Sequence, residues 1–503
     1  MTDYPTPTPD LRIRTMNAMP IRRDGDYVLY WMTAHRRPFW NHALQRAVEH
    51  ARALGKPLLI FEALRCGYPW ASDRLHRFVI EGMAANATAF GKTSASYVPW
   101  VEASPGAGKG LLESLARQAC VVVGDEFPCF FLPAMISATA ARLEVAFEVV
   151  DANGLLPLRA TEAAKERAVD FRRLLHKTLR PHLGQFPLEN PLKGVRLPRL
   201  ATLPKALVAA DPAALLRGEH GGLSSLPIDH AIGAAAQRGG WIAANRTLED
   251  FFSRKLAHYA EERSLVESDA ASGLSPYLHF GHLSTHQVVA ALWTHEGWSP
   301  ERLALTPSGS RDGWWGMSVN GESFIDELVT WRELGYHFCH HRPDFATYAT
   351  LPAWALKTLE AHAADPREHL YSRQQLAAGD THDPLWNAAQ RQLVTEGRMH
   401  NYLRMLWGKK ILEWSAHPSI ALDTLIDLNN RYALDGRNPN SYSGIMWCLG
   451  RFDRPWAPQR AVFGSIRYMS SANTARKMRV KEYITRYAGG GPAKQQTFLE
   501  GSP

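Results

Sequence analysis

Cysteine is scarce in this sequence and forms no paired motif. The 503 residues include five cysteines, at positions 66, 120, 129, 339 and 448, and none of them forms a CxxC pair. An odd, scattered set is unsuited to a disulfide framework and is typical of reduced thiols. Long apolar runs are also missing, since none reaches the ~18 residues that a membrane span needs. The N-terminal stretch is polar and proline-rich, unlike a secretory signal. We therefore expect a cytoplasmic protein with no membrane partner.

Acidic residues are outnumbered by basic ones. The chain has 49 Asp and Glu against 57 Lys and Arg, a formal net charge of +8. It also has 16 tryptophans, a high number for this length. Basic grooves interleaved with aromatic rings hold a nucleic acid backbone and an unstacked base. The composition therefore favours a nucleic acid partner.

The hydrophobic pattern divides the chain into two domains of different class. Apolar runs at 26–32, 58–64, 96–102, 119–125 and 145–151 alternate with helical patterns, which predicts a parallel, Rossmann-like sheet. We expect a flexible N-terminus over 1–25 and an α/β domain over 26–155. A proline-rich interdomain linker over 156–238 and an all-α domain over 239–487 follow. The glycine-rich tail over 488–503 is predicted to be disordered.

Two motifs that suggest ligands are better explained by ordinary structure. The loop SPGAGKG at 104–110 resembles a phosphate loop, but Gly110 stands where a P-loop has Ser or Thr, and Ala103 replaces its first glycine. The run HFCHH at 337–341 has no second ligand cluster with metal-site spacing, so we interpret it as a helix end packed beside a groove. We predict no metal site.

Four other segments carry residues suited to a cofactor and an aromatic substrate. In SGLSPYLHFGHLS (272–284), hydroxyl residues precede a helix that starts at Pro276, a pattern that suits phosphate binding and plain helix capping equally. In ESFIDELVTWREL (322–334), Glu327 and Trp331 are i,i+4 neighbours on a predicted helix. Trp407 and Trp414, in the run 381–414, lie two helical turns apart on one face. The segment 427–450 adds further amide, acidic and aromatic residues.

These segments resemble the photolyase/cryptochrome family and are most similar to its class II cyclobutane pyrimidine dimer (CPD) DNA photolyases. The resemblance covers about residues 250–485 in detail and is weaker before them. It implies an all-α FAD-binding domain, and an ion pair between Arg404 and Asp435. One departure is Asn401, which stands where class II enzymes usually have Gly, so the local flavin contacts stay open there. The residues that the resemblance assigns to cofactor binding are Tyr259, Ser272, Gly273, Leu274, Ser275, Asn401, Arg404, Asn429 and Asp435.

The resemblance also assigns residues to repair, DNA contact and electron transfer. The catalytic set is Glu327, Asn429, Trp331, Trp447 and Met405. The DNA-binding set is Arg263, Trp331, Trp447 and Arg454, and nearby basic residues from Arg451 to Lys481 are expected to contact phosphates. The electron-transfer set is Trp407, Trp386, Trp414 and Tyr371.

The implied reaction is light-dependent repair of UV-damaged DNA. Reduced FAD (FADH-) donates an electron to a flipped-out dimer, which splits into two pyrimidines. Two alternatives stay open, a cryptochrome-like photoreceptor and a (6-4) photolyase, which needs a histidine pair such as His340 and His341 in the pocket. An antenna chromophore of deazaflavin or folate type, or none, is compatible with the N-terminal domain. We expect a monomer in the cytoplasm, associated with the nucleoid if the source is bacterial.

Overall fold

The computed structural model describes residues 7–489. The predicted disordered tail lies outside these residues from position 490 onward, as do the first six positions of the predicted flexible N-terminus. Two bodies follow one another along the chain, an α/β domain and a helical domain, as the sequence predicts. No helix in the described part of the chain is long and apolar enough to cross a membrane.

The α/β domain is built on a six-stranded sheet with the strand order β1-β6-β5-β2-β3-β4. Its strands are β1 (Ile13–Thr15), β2 (Tyr27–Met32), β3 (Leu58–Leu64), β4 (Ser96–Val101), β5 (Ala119–Glu126) and β6 (Phe147–Asp151). The five strands β2 to β6 pair in parallel and are covered on both faces by apolar clusters. This matches the near-continuous apolar runs from which the strands were predicted.

The edge strand β1 differs from the prediction. It pairs antiparallel with β6, with Ile13 opposite Val150 and Thr15 opposite Glu148. The expectation of a flexible N-terminus over 1–25 is therefore wrong for this strand. Three residues are too few to show an alternating pattern, and the pairing depends on a partner strand more than 130 positions away.

The helices of the α/β domain follow clear local signals. They are α1 (His42–Leu54), α2 (Asp73–Phe90), α3 (Leu111–Ala116) and α4 (Leu132–Ala140). At the start of α1, the side chain of Asn41 accepts hydrogen bonds from the backbone N–H groups of Ala43 and Leu44. Gly55 ends this helix in the left-handed conformation, which a residue without a Cβ adopts at little cost. The predicted loop at 104–110 lies before α3.

The segment predicted as a linker over 156–238 contains helices of its own. They are α5 (Ala168–Thr178) and α6 (Pro212–Arg217). Arg172 of α5 makes a bidentate, buried ion pair with Asp326 of the helical domain, at 3.0 Å for each bond. The first part of this segment is therefore packed onto the helical domain, a contact that no local pattern reveals.

The helical domain surrounds one large apolar core. Its α-helices are α7 (Trp241–Asp250), α8 (Tyr259–Glu262), α9 (Ser275–His279), α10 (Thr285–Glu296), α11 (Val319–Ile325), α12 (Arg332–His341), α13 (Ala353–Ala361), α14 (Arg373–Ala378), α15 (Pro384–Glu396), α16 (Asn401–Trp414), α17 (Pro418–Tyr432), α18 (Pro439–Cys448), α19 (Ser471–Lys477) and α20 (Lys481–Arg486). Two turns are π-helical, Phe251–Lys255 and Asp326–Trp331. Short 3-10 helices occupy Asp10–Arg12, Leu158–Ala160, Arg180–His182, Glu219–Ser225, Leu256–His258, Pro300–Arg302 and Tyr348–Thr350.

Candidate active site

A cavity of about 2460 Å³ opens into the helical domain. Pockets for small ligands are usually ~300–1,000 Å³, so this cavity has room for more than one bound group. Most of the predicted site residues, from segments far apart in the chain, line it together. They are Tyr259, Arg263, Ser272, Gly273, Leu274, Ser275, Glu327, Trp331, Asn401, Arg404, Met405, Trp407, Asn429, Asp435 and Trp447.

Glu327 and Trp331 lie on a π-helical turn, whereas the sequence predicts an α-helix. The N–H of Arg332 donates to the carbonyl oxygen of Glu327, five residues earlier, which is the π-helical bond. Single π-turns are rare and often occur at functional sites. The predicted i,i+4 geometry is therefore wrong in detail, although both side chains do reach the cavity wall. The extra residue in the turn has no signature in the hydrophobic pattern.

Glu327 is paired with Arg263 in the cavity wall. Their Oε1 and Nη1 atoms lie 2.6 Å apart. Burial raises the pKa of Glu327 above its ordinary value, and the positive charge of Arg263 opposes that rise. Arg263 also lies over the ring of Tyr259, 5.7 Å from its centroid. The site thus holds a carboxyl group that is partly desolvated and is oriented by the guanidinium of Arg263.

Trp331 and Trp447 are half-buried aromatic residues that face the cavity from different helices. Trp447 has two cations near its ring, Lys409 at 4.7 Å and Arg467 at 5.5 Å from the centroid. Lys409 is fully buried and donates to the carbonyl oxygen of Cys448 at 2.7 Å. Burial lowers the pKa of Lys409 to about 8. No local pattern in the sequence marks Lys409, since its carbonyl partners lie 38 and 39 positions away.

Asp435 connects three segments at another wall of the cavity. Its Oδ1 atom lies 3.1 Å from Nη2 of Arg404, so the predicted ion pair is present. Its Oδ2 atom accepts a hydrogen bond of 2.8 Å from the hydroxyl of Ser275, at the start of α9. Gly273, just before this helix, has a φ of +69°, in the left-handed region that favours glycine. The loop predicted to bind phosphate is thereby held against the Arg404–Asp435 pair.

Amides and apolar groups complete this wall. Asn429 is buried, and its Nδ2 atom lies 3.2 Å from Oδ1 of Asn430. Asn401 starts α16 and is exposed, while Met405 lies one turn further along the same helix. The Nδ1 atom of His279 is buried in the cavity wall and has no hydrogen-bond partner within residues 7–489. The amides and the imidazole thus place polar groups beside the apolar side chain of Met405.

The four predicted electron-transfer residues form a continuous row of rings. The centroids of Trp407 and Trp386 are 6.4 Å apart, and the rings are nearly parallel. Trp386 contacts Trp414 at 5.4 Å, and Trp414 contacts Tyr371 at 5.3 Å. Trp407 faces the cavity, the middle two rings are buried, and Tyr371 is half-buried near the surface. The row therefore connects the cavity with the outside of the protein.

Several residues singled out in the sequence lie elsewhere. Arg454 is exposed and lies over the ring of Trp456 at 4.5 Å, outside the described wall of the cavity. The prediction that Arg451 contacts a phosphate is wrong, because this side chain is 1% exposed and donates to the carbonyl oxygen of Thr350. Arg451 is therefore a buried cation, although the sequence alone places it among surface charges.

The histidine run at 337–341 belongs to the end of α12. The hydroxyl of Thr161 lies 2.7 Å from Nδ1 of His337 and 2.8 Å from Nε2 of His341. Neither His340 nor His341 is among the described residues that line the cavity. The histidine pair that a (6-4) photolyase needs in its pocket is therefore not supplied by these residues.

Comparisons with known proteins agree with this arrangement. No protein-family model matches the chain. The chain is 34% identical over 480 residues to a deoxyribodipyrimidine photo-lyase of Methanothermobacter thermautotrophicus, covering 95% of this chain and 98% of that relative. It is 33% identical to a deoxyribodipyrimidine photo-lyase of Oryza sativa subsp. japonica, over 92% of this chain and 88% of the relative. The relative from Potorous tridactylus has the same name and 31% identity, over 90% and 80% of the two chains.

Solved structures support the fold. A bacterial class III photolyase from Agrobacterium tumefaciens superposes with a TM-score of 0.66 at 19% identity, covering 92% of this chain and 86% of the other. A cryptochrome from Synechocystis sp. PCC6803 gives a TM-score of 0.64 at 15% identity, covering 92% and 88%. These likenesses confirm an α/β domain followed by a helical domain.

Proposed function

This chain belongs to the deoxyribodipyrimidine photo-lyase family, and on that basis we propose that its cavity holds FAD beside a flipped-out pyrimidine dimer. The protein is a light-dependent DNA-repair enzyme that splits the cyclobutane dimer into two pyrimidines. One observation carries the assignment of the site. Residues from four separated segments, each of which the resemblance assigns to flavin binding or to lesion binding, line the same cavity. Its volume of about 2460 Å³ accommodates both groups.

The residues of the cavity fit a dinucleotide with an aromatic ring system. Ser272, Ser275 and the intervening backbone supply neutral donors for a diphosphate, and Arg404 supplies a cation. Leu274 and Met405 supply apolar surface for the ring system, while Asn429 supplies an amide that can hydrogen-bond to it. The Nδ1 atom of His279, which has no partner in the described part of the chain, is a further polar group available in the wall. FAD bound here in its reduced form would supply, under near-UV or blue light, the electron that weakens the cyclobutane bonds.

The lesion is received by the two tryptophans and Glu327. A pyrimidine dimer has lost part of its stacking in the duplex, so its extrusion costs less than that of an undamaged base pair. Trp331 and Trp447 offer ring faces for it, and stacking of a base on an aromatic ring contributes ~1–3 kcal/mol. Burial raises the pKa of Glu327, which favours the protonated carboxyl, and in that form Glu327 donates a hydrogen bond to the base edge and stabilises the negative charge that develops there. Arg263 keeps this carboxyl in position.

Cations around the cavity attract the DNA backbone. Basic side chains outnumber acidic ones in its wall, and Arg263, Arg311 and Arg467 are among them. Neutralising phosphates releases counterions, so the affinity for DNA falls as the salt concentration rises. Arg454 lies near Trp447 in the chain, and we retain it as a phosphate contact on the surface outside the cavity.

The wider setting follows from the same features. We propose a monomer, because a single chain supplies every residue of the site. The five cysteines are free and buried, which fits a reducing compartment such as the cytoplasm. An antenna chromophore of deazaflavin or folate type would bind the α/β domain.

Repair of thymine-dimer DNA by the Glu327→Gln variant tests the assignment. The substitution keeps the shape of the side chain but replaces the carboxyl, whose acidic proton stabilises a negatively charged base, with a weaker amide donor, so we expect the repair rate to fall about tenfold, equivalent to ~1.4 kcal/mol. The recovery of thymine absorbance under blue light is measured with chemically reduced protein, beside a dark sample. Glu261→Gln is the matched control, since Glu261 is exposed and close in the chain to Tyr259.

Each alternative predicts a different result in this experiment. Full repair by flavin-loaded Glu327→Gln protein would remove Glu327 from the mechanism. Flavin-loaded wild-type protein that leaves the dimer intact would favour a photoreceptor over a repair enzyme. A colourless wild-type protein that does not take up added FAD would contradict the cofactor assignment.

A further inference from the structure

The outer end of the row of rings carries a hydrogen-bonded pair that the function described above does not use. The hydroxyl of Tyr371 lies 2.6 Å from Nδ1 of His382. The same hydroxyl accepts a hydrogen bond of 3.0 Å from the backbone N–H of His382. The backbone N–H of Tyr371 in turn donates to the carbonyl oxygen of Trp414 at 3.4 Å. The phenol is thus fixed against both the last tryptophan and an imidazole.

The indole N–H groups of Trp407 and Trp386 have partners of a different kind. The indole N–H of Trp407 donates to the side-chain oxygen of Gln390 at 2.9 Å. The indole N–H of Trp386 donates to the carbonyl oxygen of Trp407 at 3.1 Å. Neither acceptor is a base that takes up a proton near neutral pH. A histidine does so readily, since its ordinary pKa is ~6.5.

We propose that His382 accepts the phenol proton of Tyr371 when this tyrosine gives up an electron to Trp414. The inference rests on the proposed flavin site, because an oxidised flavin bound there would, when excited by light, supply the electron hole that Trp407 and Trp386 pass to Trp414. Tyr371 loses one electron and its O–H bond breaks. The oxidised indole of Trp414 regains its electron, and the proton forms a new N–H bond at Nδ1 of His382. The products are a neutral tyrosyl radical and an imidazolium ion.

The proton transfer makes the last electron step favourable. A phenol that has lost an electron is a far stronger acid than the neutral phenol, so oxidation without deprotonation leaves a high-energy cation. A base at 2.6 Å is within the ~2.6–3.2 Å reach that proton transfer requires. Because His382 is exposed, it can pass the proton to water. The electron cannot then return to Tyr371 without recovery of a proton, so the charge separation lasts longer.

The charges around His382 favour its neutral form. Partial desolvation and the neighbouring His369, whose ring centroid lies 3.8 Å away, lower the pKa of His382 below its ordinary value. Lys410 acts in the same direction, whereas Asp383 and Glu368 oppose it. The imidazole is therefore unprotonated at neutral pH and available as an acceptor. In acid it becomes protonated, and it then cannot take the proton of Tyr371.

Transient absorption of the oxidised, flavin-loaded protein after a light pulse tests this proposal. In the wild type we expect a tyrosyl radical to replace the tryptophan radical, with a slower rate in D₂O and a yield that falls as the pH drops through the pKa of His382. Tyr371→Phe is expected to abolish the tyrosyl signal. His382→Gln keeps a hydrogen-bond acceptor but not a base, and we expect tyrosyl formation to slow at least tenfold and to lose its pH dependence. His295→Gln, at an exposed histidine outside both the row of rings and the cavity wall, is the matched control and keeps the wild-type kinetics.

Chemical rescue separates proton transfer from a structural role. In His382→Ala, added imidazole is expected to restore tyrosyl formation in proportion to its concentration, whereas added imidazole does not affect Tyr371→Phe. Tyrosyl formation at the wild-type rate in His382→Gln would overturn the proposal. Repair of dimer DNA by chemically reduced wild-type protein is measured in parallel, because it needs no photoreduction. Failure of that repair would contradict the proposed lesion site, whereas loss of the tyrosyl signal with intact flavin binding and repair would contradict only the role of Tyr371 and His382.

Discussion

Asp435 connects two helices in the wall of the cavity where we propose that the flavin binds. It contacts Arg404 of α16 and Ser275 of α9, so its carboxylate holds a cation and a hydroxyl side by side. Its side chain is 15% exposed, which limits screening by water. Removing one partner of such a pair leaves the other without compensation, and hydrogen bonds to charged groups contribute ~1.5–3 kcal/mol.

We therefore expect Asp435→Asn to weaken flavin binding about tenfold or more, corresponding to at least ~1.4 kcal/mol. The dissociation constant is measured by fluorescence titration of FAD into flavin-free protein. Asp170→Asn removes the half-buried partner of the exposed Arg167 and provides the control for a lost surface ion pair. Equal flavin affinity in Asp435→Asn and wild-type protein would show that this wall does not bind the cofactor.

Residues were predictable from the sequence where their neighbours lie close in the chain or in a recognised motif. The pairing of Arg404 with Asp435 followed from the resemblance and is present. Lys409 was missed because its carbonyl partners belong to another helix, and Arg451 was misassigned because nothing local marks it as buried. Burial of a cation is decided by tertiary packing, which a charge pattern does not contain.

At the scale of elements, the buried strands were the easiest to predict. The strands β2 to β6 begin and end within two residues of the predicted runs, since a parallel sheet covered on both faces needs continuous apolar residues. The edge strand β1, the packed helix α5 and the π-turn Asp326–Trp331 were not predicted. Each depends on a contact or an inserted residue that leaves the periodic pattern unchanged.

The packing of α15 against α16 creates the middle of the row of rings. Trp386 of α15 inserts between Trp407 and Trp414 of α16, which the sequence places two turns apart. The rings of Trp407 and Trp414 both contact Trp386, so Trp386 carries the connection between them. Removal of its indole ring is expected to increase the distance that an electron must cross between Trp414 and Trp407. The lesion site is built on other elements and is expected to stay in place.

We expect Trp386→Phe to lower the yield of flavin photoreduction at least tenfold, while repair by chemically reduced protein continues. Photoreduction is followed by the loss of oxidised-flavin absorbance under light with an external thiol. Trp298→Phe is a matched control, because Trp298 is also buried and its indole N–H also donates to a tryptophan carbonyl, that of Trp315. Unchanged photoreduction in Trp386→Phe would show that electrons reach the cavity by another path.

At the scale of the whole molecule, the two domains are joined through buried polar groups. Glu333 of α12 accepts hydrogen bonds from the backbone N–H groups of Leu155 at 2.6 Å and Leu156 at 3.0 Å, just after β6. Arg74 of α2 donates to the carbonyl oxygens of Leu393 and Tyr432 in the helical domain. Buried polar groups without partners are costly, so these bonds fix how the domains meet.

Glu333 makes the stability of this interface depend on pH. Burial raises the pKa of its carboxyl from 4.5 to about 7. In the unfolded chain the group loses its proton near its ordinary pKa, whereas the folded protein keeps it to higher pH. Between these two values the folded state binds more protons, so stability decreases as the pH rises through this window. One pKa unit corresponds to ~1.4 kcal/mol.

Glu333→Gln is expected to remove this pH dependence. The amide stays neutral but accepts hydrogen bonds through only one oxygen, so the variant is less stable than wild type at about pH 5, and the difference shrinks by ~1–3 kcal/mol toward about pH 8. Urea unfolding at both pH values measures it. Glu322→Gln, which removes a carboxylate that accepts from the backbone N–H groups of Gly313 and Gly316, gives the cost of the same exchange inside the helical domain. A stability difference between wild type and Glu333→Gln that stays constant with pH would mean that Glu333 is ionised throughout, held so by its two N–H donors and by Arg12 and Arg332.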